Sequence, residues 1–312
     1  MASSGIDSPG LIIPRRLHEG DRIAIVAPAG PVESALVEEA ARVLERHDYR
    51  PEIFPTIYSD CGQTSAPARQ RFEEMKEAFL NPEFRAVLCA RGGYGSVHLL
   101  ENLSRLPLKK DPKWLIGFSD ITALHALMTS RGIASLHASM ARYISRDEEI
   151  AENRLLFDCL KGSFPSFQFA SDPKNICGKA EAPLVGGNLS VMMSLTGTPF
   201  NIVRKDTILF IEDISEPAYK IERMLYQLLL SGALENLKGI IVGAFTNIGK
   251  GRGSRDVVDV ISEVLQKVPG IPVAYNLPIG HIPNNIPLVE SAVYSLDITP
   301  ERVTLSPKIP QI

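Results

Sequence analysis

The sequence predicts an α/β protein of two domains, the first built around a parallel sheet and the second richer in strand. Its 312 residues correspond to roughly two domains of ordinary size. Short apolar runs alternate with helical stretches through the first half, which is the pattern of β-α-β units with a sheet covered on both faces. Strand-like segments then become denser. We therefore expect a first domain at residues 1–162, a connection at 163–178 and a second domain at 179–312.

In the first half, the predicted strands are short apolar runs, several of which end at glycine or proline. The strand at 22–27 ends at Pro28, and the helix that follows at 34–47 places Leu36, Ala40 and Val43 on one face. The other elements predicted here are a helix at 68–80, strands at 84–90 and 114–118, a helix at 120–131 and a strand at 133–137.

The second half begins after a polar helical stretch at about 147–162 and a connection that carries proline, serine and asparagine. Beyond the connection, strand-like and helical segments alternate less regularly, which favours a mixed sheet. The predicted strands are at 180–185, 207–211, 239–245, 289–296 and 302–305, and the predicted helices are at 188–196, 218–231 and 256–267.

Charge and cysteine content exclude several classes of protein. Lys and Arg number 33 and Asp and Glu number 36, which gives a net charge of −3. This balance of charges does not indicate a polyanionic partner such as nucleic acid or an anionic membrane. The four cysteines have neither metal-ligand nor CxxC spacing, so we expect free thiols in a reducing compartment. No uncharged stretch resembles a membrane span, and the N-terminus lacks the pattern of a signal peptide. The sequence therefore predicts a cytoplasmic protein.

The strongest local feature is Gly117-Phe118-Ser119-Asp120, where a predicted strand ends and a helix begins. A serine here can be a nucleophile exposed on a strand-to-helix turn, with unpaired N–H groups of the helix start available to stabilise an oxyanion. The alternative is that Ser119 only caps the helix while Asp120 complements its dipole. The second glycine of the G-x-S-x-G pattern is absent, because Ile121 stands there.

A second feature is the turn Arg91-Gly92-Gly93-Tyr94-Gly95, which follows the strand predicted at 84–90. Adjacent glycines allow a backbone to approach a ligand closely, and their N–H groups could complete an oxyanion hole or hold a carboxylate. The turn matches neither the G-x-G-x-x-G fingerprint nor a Walker loop. A tight turn with no further role is the alternative interpretation.

Two candidates for an acid and a base lie in the second half. Glu212 follows the strand predicted at 207–211, a place from which a carboxylate can orient a histidine, although most glutamates are surface residues. His281 lies on a loop constrained by glycine and proline and is the best candidate for a base, with His137 second. Together with Ser119, these residues would place the site in a cleft between the two domains.

Together these motifs resemble those of the LD-carboxypeptidases, a family of serine peptidases that includes microcin-immunity peptidases. The resemblance runs from about residue 22 to residue 305, with the motifs in family order. The motifs are VAPAGP at 26–31, RGGYG at 91–95, GFSD at 117–120, IED and the following Y-K-I-E-R-M-L at 211–225, and GH at 280–281.

The resemblance implies a triad of Ser119, Glu212 and His281, with an oxyanion hole formed by the N–H groups of Asp120 and Gly92, the latter favoured over Gly93. It implies an N-terminal Rossmann-like domain similar to class I glutamine amidotransferases and a C-terminal β-rich swivelling α/β domain. The implied reaction removes the terminal D-alanine from murein tetrapeptides during cell-wall recycling. The implied enzyme is a homodimer that needs no metal or organic cofactor.

A carboxypeptidase must also hold the free terminal carboxylate of its substrate. Either Arg223, which is an i, i+4 neighbour of Tyr219 off the apolar helix face, or the backbone of the RGGYG turn could do this. We therefore expect substrate contacts among Arg91, Gly93, Tyr94, Tyr219 and Arg223.

One segment departs from the family pattern, and two alternative functions stay open. Family members usually carry a glycine where this chain reads IPLVES at 286–291, with Val289 and Glu290. The departure leaves the implied triad intact and bears on the exact substrate. One alternative is a microcin-immunity-type peptidase acting on a peptide–nucleotide bond, which should carry an added aromatic loop, whereas Trp114 is the only tryptophan. The other is a non-catalytic protein that binds murein fragments.

Overall fold

Two β-sheets organise the computed structural model, which describes residues 10–145, 151–249 and 255–309. Within these residues the strands are β1 (Arg22–Val26), β2 (Arg50–Ile53), β3 (Phe84–Cys89), β4 (Trp114–Gly117), β5 (Ser135–His137), β6 (Phe167–Ala170), β7 (Gly178–Asn188), β8 (Ile208–Ile214), β9 (Gly239–Thr246), β10 (Val273–Ala274), β11 (Leu288–Glu290), β12 (Val293–Ile298) and β13 (Arg302–Pro307).

Helices flank these strands along the whole chain. Those in the described ranges are α1 (Ser34–Arg46), α2 (Ala68–Leu80), α3 (Leu100–Leu103), α4 (Thr122–Ser130), α5 (Ala141–Ile144), α6 (Ala151–Leu160), α7 (Leu189–Ser194), α8 (Ala218–Leu230) and α9 (Val257–Leu265). The stretch predicted to be helical from residue 147 begins outside the described residues, and its described part is α6. None of the described helices combines the length and the apolar character that crossing a bilayer requires.

The first sheet has the order β11-β5-β4-β3-β1-β2 and is parallel except for β11. Its inner strands are buried along almost their whole length, as expected for a sheet covered on both faces. The predicted parallel α/β architecture of the first half is therefore confirmed. Because β3 and β4 are parallel neighbours, the RGGYG turn and the turn that carries Ser119 leave the same edge of the sheet side by side.

The second sheet is mixed, as the denser strand signals predict. Its order is β10-β9-β8-β7-β12-β13-β6, with parallel pairing from β10 to β7 and antiparallel pairing from β7 to β6. Strand β6 lies within the segment predicted as a connection between the domains. Strand β2, at the edge of the first sheet, is absent from the prediction, because Arg-Pro-Glu-Ile lacks the apolar run that reveals the inner strands.

The predicted strand at 289–296 is wrong as a single element. Residues 288–290 form β11 on the edge of the first sheet, whereas β12 belongs to the second sheet. Between them Ser291 has a φ of +68°, a backbone conformation that redirects the chain. The sequence pattern cannot show this change of sheet, because β11 has only three residues and runs within two residues into the alternating pattern of β12.

The two halves share a continuous apolar core rather than meeting at a wet surface. Helix α4 of the first half packs against β7 and α7 of the second, and Leu124 and Met192 belong to one buried cluster. The backbone N–H of Asn188 donates to Oγ1 of Thr122 at 3.0 Å, and the hydroxyls of Thr129 and Ser291 lie 2.9 Å apart. These contacts fix both ends of α4 to the second half, and the contact at Thr122 also fixes the turn before the helix.

Glu290, one of the two residues that depart from the family pattern, is a completely buried carboxyl in β11. Its Oε2 accepts a hydrogen bond from the N–H of Gly186 at 3.2 Å, and its Oε1 has no hydrogen-bond partner in the described part of the chain. Burial raises the pKa of Glu290 well above its ordinary value. The native protein therefore holds this side chain as a neutral acid at pH values where the unfolded chain ionises it.

Replacing Glu290 by glutamine is expected to make the protein less sensitive to rising pH. Because the pKa of Glu290 is raised in the folded state, its contribution to stability is complete below the unfolded pKa and is lost as the pH rises through the folded pKa. Within that window the free energy of unfolding should fall by about 1.4 kcal/mol per pH unit. Urea denaturation at pH 5 and pH 8 should show a steeper fall of the free energy of unfolding in the wild type than in Glu290→Gln, which keeps the other shifted groups such as Glu212 and Asp120. The same pH dependence in both proteins would contradict an uncharged Glu290.

Candidate active site

The structure brings Ser119, Glu212 and His281 together in one hydrogen-bonded row. Nε2 of His281 lies 2.9 Å from Oγ of Ser119, and its Nδ1 lies 2.7 Å from Oε2 of Glu212. The serine follows β4 of the first sheet, the glutamate lies in β8 of the second sheet, and the histidine lies on the loop between β10 and β11. The three predicted residues therefore meet where the two halves of the chain join.

The hydrogen-bond partners fix the tautomer of His281. An ionised carboxylate only accepts hydrogen bonds, so Nδ1 of His281 carries the proton and donates it to Glu212. Nε2 is then the acceptor for the hydroxyl proton of Ser119. This is the arrangement in which an imidazole can remove a proton from a serine hydroxyl.

Ser119 occupies a strained turn and does not cap a helix. Its φ is +68°, in the left-handed region that residues other than glycine rarely adopt. Ser119 begins a short 3₁₀ turn, Ser119–Ile121, that leads into α4, and neither helical segment has a side-chain cap at its start. The interpretation of Ser119 as a helix cap is therefore wrong. Its hydroxyl is directed to His281, as on a strand-to-helix turn that exposes a nucleophile.

Glu212 is completely buried. It contacts the loop that carries His281, and this contact requires a glycine at position 280. A Cβ on Gly280 would lie 2.6 Å from Oε2 of Glu212, and Gly280 has a φ of +116°. The N–H of Gly280 donates to Oδ1 of Asn285 at 2.7 Å, which fixes the loop that carries His281. Burial raises the pKa of Glu212, and its hydrogen bond with His281 acts in the opposite direction.

The RGGYG turn lies directly against Ser119. A Cβ on Gly92 would be 2.9 Å from Oγ of Ser119 and 3.2 Å from the backbone nitrogen of Asp120. A Cβ on Gly93 would instead face the Cα of Gly30, at 3.3 Å. Of the two adjacent glycines, Gly92 is therefore the one whose side-chain position faces the serine and the start of the helix.

Hydrogen bonds join the RGGYG turn to the turn that carries the serine. The buried carboxylate of Asp120 accepts from the N–H of Ser96 at 2.9 Å, and the hydroxyl of Ser96 donates to the carbonyl of Asp120 at 2.6 Å. Burial raises the pKa of Asp120, whereas the hydrogen bonds from Ser96 and the charge of Arg71 lower it. The two turns thus form one connected unit.

Arg71 also holds this unit, and sequence reasoning missed it. It is 1% exposed, and its guanidinium donates to the backbone carbonyls of Ala66, Gly95 and Pro28. A buried guanidinium that donates to several carbonyls fixes the backbone segments that it joins. The sequence signals only an arginine on the amphipathic helix α2, where such a residue is usually exposed.

His137, the second candidate for a base, is not in contact with Ser119 through a hydrogen bond. It is completely buried, burial lowers its pKa well below the ordinary value, and its ring packs edge-on against Phe210 at 5.0 Å. The ring of Phe118 separates its surroundings from those of His281, at 5.7 Å from His137 and 4.9 Å from His281. His137 is therefore an interior residue behind the site.

The predicted substrate-binding residues fall into two groups. Arg91, Gly93 and Tyr94 line one cavity beside the serine turn, with Tyr94 half-exposed and its hydroxyl 3.3 Å from Nε2 of His98. Tyr219 and Arg223 lie on the exposed side of α8, where the guanidinium stacks at 5.5 Å from the tyrosine ring. In the described ranges, no three side chains of His, Cys, Asp or Glu converge as they would around a metal ion.

Comparison with known proteins agrees with the motifs. Residues 23–138 match the LD-carboxypeptidase N-terminal domain, and residues 181–296 match the LD-carboxypeptidase C-terminal domain. The murein tetrapeptide carboxypeptidase of Pseudomonas aeruginosa is 28% identical over 270 residues, which cover 83% of this chain and 88% of that protein.

Two solved structures share the fold over almost the whole chain. The crystal structure of muramoyltetrapeptide carboxypeptidase from Oxalobacter formigenes has a TM-score of 0.82 and 27% identity, and it covers 93% of this chain and 100% of that chain. The microcin C7 self-immunity protein MccF, in complex with aspartyl sulfamoyl adenosine, has a TM-score of 0.83 at 20% identity, covering 96% and 98%. Because the two domain matches span most of the sequence, the predicted resemblance is confirmed, and the chain belongs to the LD-carboxypeptidase family.

Proposed function

We propose that this protein is a serine LD-carboxypeptidase that removes the terminal D-alanine from murein tetrapeptides, with Ser119 as nucleophile, His281 as base and Glu212 as the acid that orients it. The hydrogen-bonded row from Glu212 through His281 to Ser119, with the serine on a strained turn, carries this proposal. Family membership and the names of the similar proteins support the substrate class.

In the first step, the hydroxyl oxygen of Ser119 attacks the carbonyl carbon of the bond to D-alanine. Its proton passes to Nε2 of His281, which lies within hydrogen-bond distance. Glu212 keeps the imidazole in the correct tautomer and stabilises the imidazolium that forms. His281 then gives its proton to the departing amine of D-alanine, which leaves Ser119 acylated. Water attacks the acyl-enzyme with His281 again as base and restores the serine.

The negative oxygen of the tetrahedral intermediate is stabilised by the N–H groups of Asp120 and Gly92. Asp120 lies at the start of a helical segment, where N–H groups lack partners within the helix. The space that a side chain at Gly92 would fill borders both Oγ of Ser119 and the nitrogen of Asp120. Removing one such donor from other serine hydrolases costs about 3–4 kcal/mol of transition-state stabilisation.

The two alternative functions receive less support. Trp114, the only tryptophan, is completely buried and donates from its indole to the carbonyl of Arg15, so it is not available to stack on a nucleobase. A non-catalytic binding protein would not need the hydrogen-bonded row, whose tautomer and serine geometry suit proton transfer.

The proposal includes the cytoplasm as compartment and a homodimer as the assembly state, both by analogy with the family. All four cysteines, Cys61, Cys89, Cys159 and Cys177, are free in the structure, which is consistent with a reducing environment.

Mass spectrometry of a purified murein tetrapeptide incubated with the enzyme tests the proposed reaction. The expected result is the loss of one alanine, with free D-alanine as the second product. A matched tetrapeptide that ends in L-alanine should remain intact, and enzyme treated beforehand with a fluorophosphonate should be inactive.

Three outcomes would contradict the proposal. If the D-alanine peptide stayed intact, the proposed substrate would be wrong. If fluorophosphonate-treated enzyme still released D-alanine, the proposed serine mechanism would be wrong. If the enzyme cleaved an aspartyl–nucleotide conjugate and not the tetrapeptide, the microcin-immunity type of reaction would replace the proposed one.

A further inference from the structure

A cavity of about 490 Å³ adjoins the turn that lies against Ser119. Its lining includes Gly30, Gln63, Arg91, Gly93 and Tyr94. Arg91 and Gly93 flank Gly92 in sequence, and the N–H of Gly30 donates to the carbonyl of Gly92 at 3.0 Å. Because the side-chain position of Gly92 faces Ser119, the cavity adjoins the part of the RGGYG turn that lies against the serine. The cavity is therefore within reach of a small group bonded to the carbonyl carbon that Ser119 attacks.

Arg91 gives this cavity a positive charge without an opposing carboxylate. Its Nη1 donates to the carbonyl of Pro31 at 2.6 Å, which fixes the half-buried guanidinium against the loop after β1. In the part of the chain that the structure describes, Arg91 forms no ion pair and no acidic side chain lines the cavity. One of its five N–H donors is thus occupied by protein, and the others can serve a ligand.

We propose that Arg91 binds the free terminal carboxylate of the substrate and that this cavity receives the departing D-amino acid. This inference rests on the proposed function and assigns a subsite to the same active site. A guanidinium presents a planar pair of N–H groups that matches the two oxygens of a carboxylate. Gly30 and Gly93 pack closely against each other in the wall of the cavity. The volume of about 490 Å³ is sufficient for a small residue such as D-alanine beside the carboxylate.

Arg223, the other cation considered from the sequence, has a different environment. Its guanidinium stacks on the ring of Tyr219, and both residues are exposed on the outer side of α8. A cation in open solvent binds a carboxylate weakly, because water screens the pair. The structure therefore favours Arg91, which a hydrogen bond fixes in a partly buried position on the cavity beside the serine turn.

The test compares the wild type with Arg91→Gln on a tetrapeptide that ends in D-alanine and on the same peptide that ends in D-alaninamide. The wild type should prefer the free acid by about 10²-fold in kcat/KM, because only the acid can pair with the guanidinium. Arg91→Gln should lose about 10²-fold on the acid and little on the amide, so that the preference disappears. Arg91→Lys, which keeps the charge without the planar fork, should lie between the two. The matched control, Arg223→Gln, should keep the preference of the wild type.

A second measurement keeps the subsite separate from the reaction. N-acetyl-D-alanine and N-acetyl-D-alaninamide are titrated by NMR into Ser119→Ala and into the double variant Ser119→Ala/Arg91→Gln. The subsite is supported if Ser119→Ala binds the acid more tightly than the amide and the added Arg91→Gln change abolishes this difference. This holds even if the wild type releases no D-alanine, because the lack of release would refute only the proposed function. The assignment of Arg91 would be overturned if Arg91→Gln lost equal activity on the acid and the amide peptides. It would also be overturned if Arg223→Gln, and not Arg91→Gln, abolished the preference for the acid.

Discussion

Replacing Ser119 by alanine is expected to lower kcat for D-alanine release by about 10⁴–10⁶-fold, the loss seen when the nucleophile is removed from a serine hydrolase triad. In the proposed mechanism the hydroxyl oxygen forms the acyl-enzyme, and no other described hydroxyl lies within hydrogen-bond distance of Nε2 of His281. The measurement is product release from the murein tetrapeptide by mass spectrometry, with KM determined in parallel. Reaction with a fluorophosphonate should also disappear.

The fold should survive this change, so that the loss can be assigned to chemistry. Alanine has the same Cβ as serine at the φ of +68° and introduces no new atoms into the space that serine fills. Thermal unfolding should therefore change little. Ser130→Ala is a matched control on α4, because the hydroxyl of Ser130 bonds to the carbonyl of Leu127 in its own helix and to no other described residue. Activity retained by Ser119→Ala, or lost by Ser130→Ala, would refute the role given to Ser119.

The positions of the two turns could be predicted from the sequence because a parallel sheet gathers the carboxyl ends of its strands at one edge. Once β3 and β4 are recognised as neighbouring apolar runs, the RGGYG turn and Ser119 must leave that edge together. The resemblance to a family then joined Glu212 and His281 to the serine. Their own local patterns, a carboxylate near a strand end and a histidine on a proline-rich loop, also occur at sites without chemistry.

The remaining features depend on tertiary contacts that no local pattern encodes. Arg71 lies on an amphipathic helix like many exposed arginines, and only the folded chain shows that it joins three backbone segments beneath the RGGYG turn. The division of the predicted strand at 289–296 depends on a single positive φ at Ser291, which sends the chain from one sheet to the other. His137 has the sequence position of a site residue, but burial behind Phe118 makes it part of the interior.

Replacing Gly92 by alanine is expected to lower kcat/KM by about 10³-fold, the second-largest effect, through a single added methyl group. Gly92 is not among the residues with positive φ, so alanine can adopt its backbone conformation without strain. The methyl carbon would nevertheless lie 2.8 Å from Cβ and 2.9 Å from Oγ of Ser119, closer than such atoms pack. Either the serine or the turn must move, and both movements separate the nucleophile from the proposed N–H donors. The measurement is steady-state kinetics on the murein tetrapeptide.

The control for this prediction is Gly249→Ala, at an exposed glycine where an added Cβ meets no atom of the described residues within 4 Å. It should retain full activity, which would show that the methyl group acts through its contact with Ser119 and not through a general effect of removing a glycine. Thermal unfolding of Gly92→Ala should still be cooperative, because Arg71 continues to hold the turn at the carbonyl of Gly95. If Gly92→Ala kept wild-type kcat/KM, the turn would have to move freely beside the serine. Gly92 could then not be a preorganised donor to the oxyanion, since such a donor stabilises the transition state only when its position is fixed before the reaction.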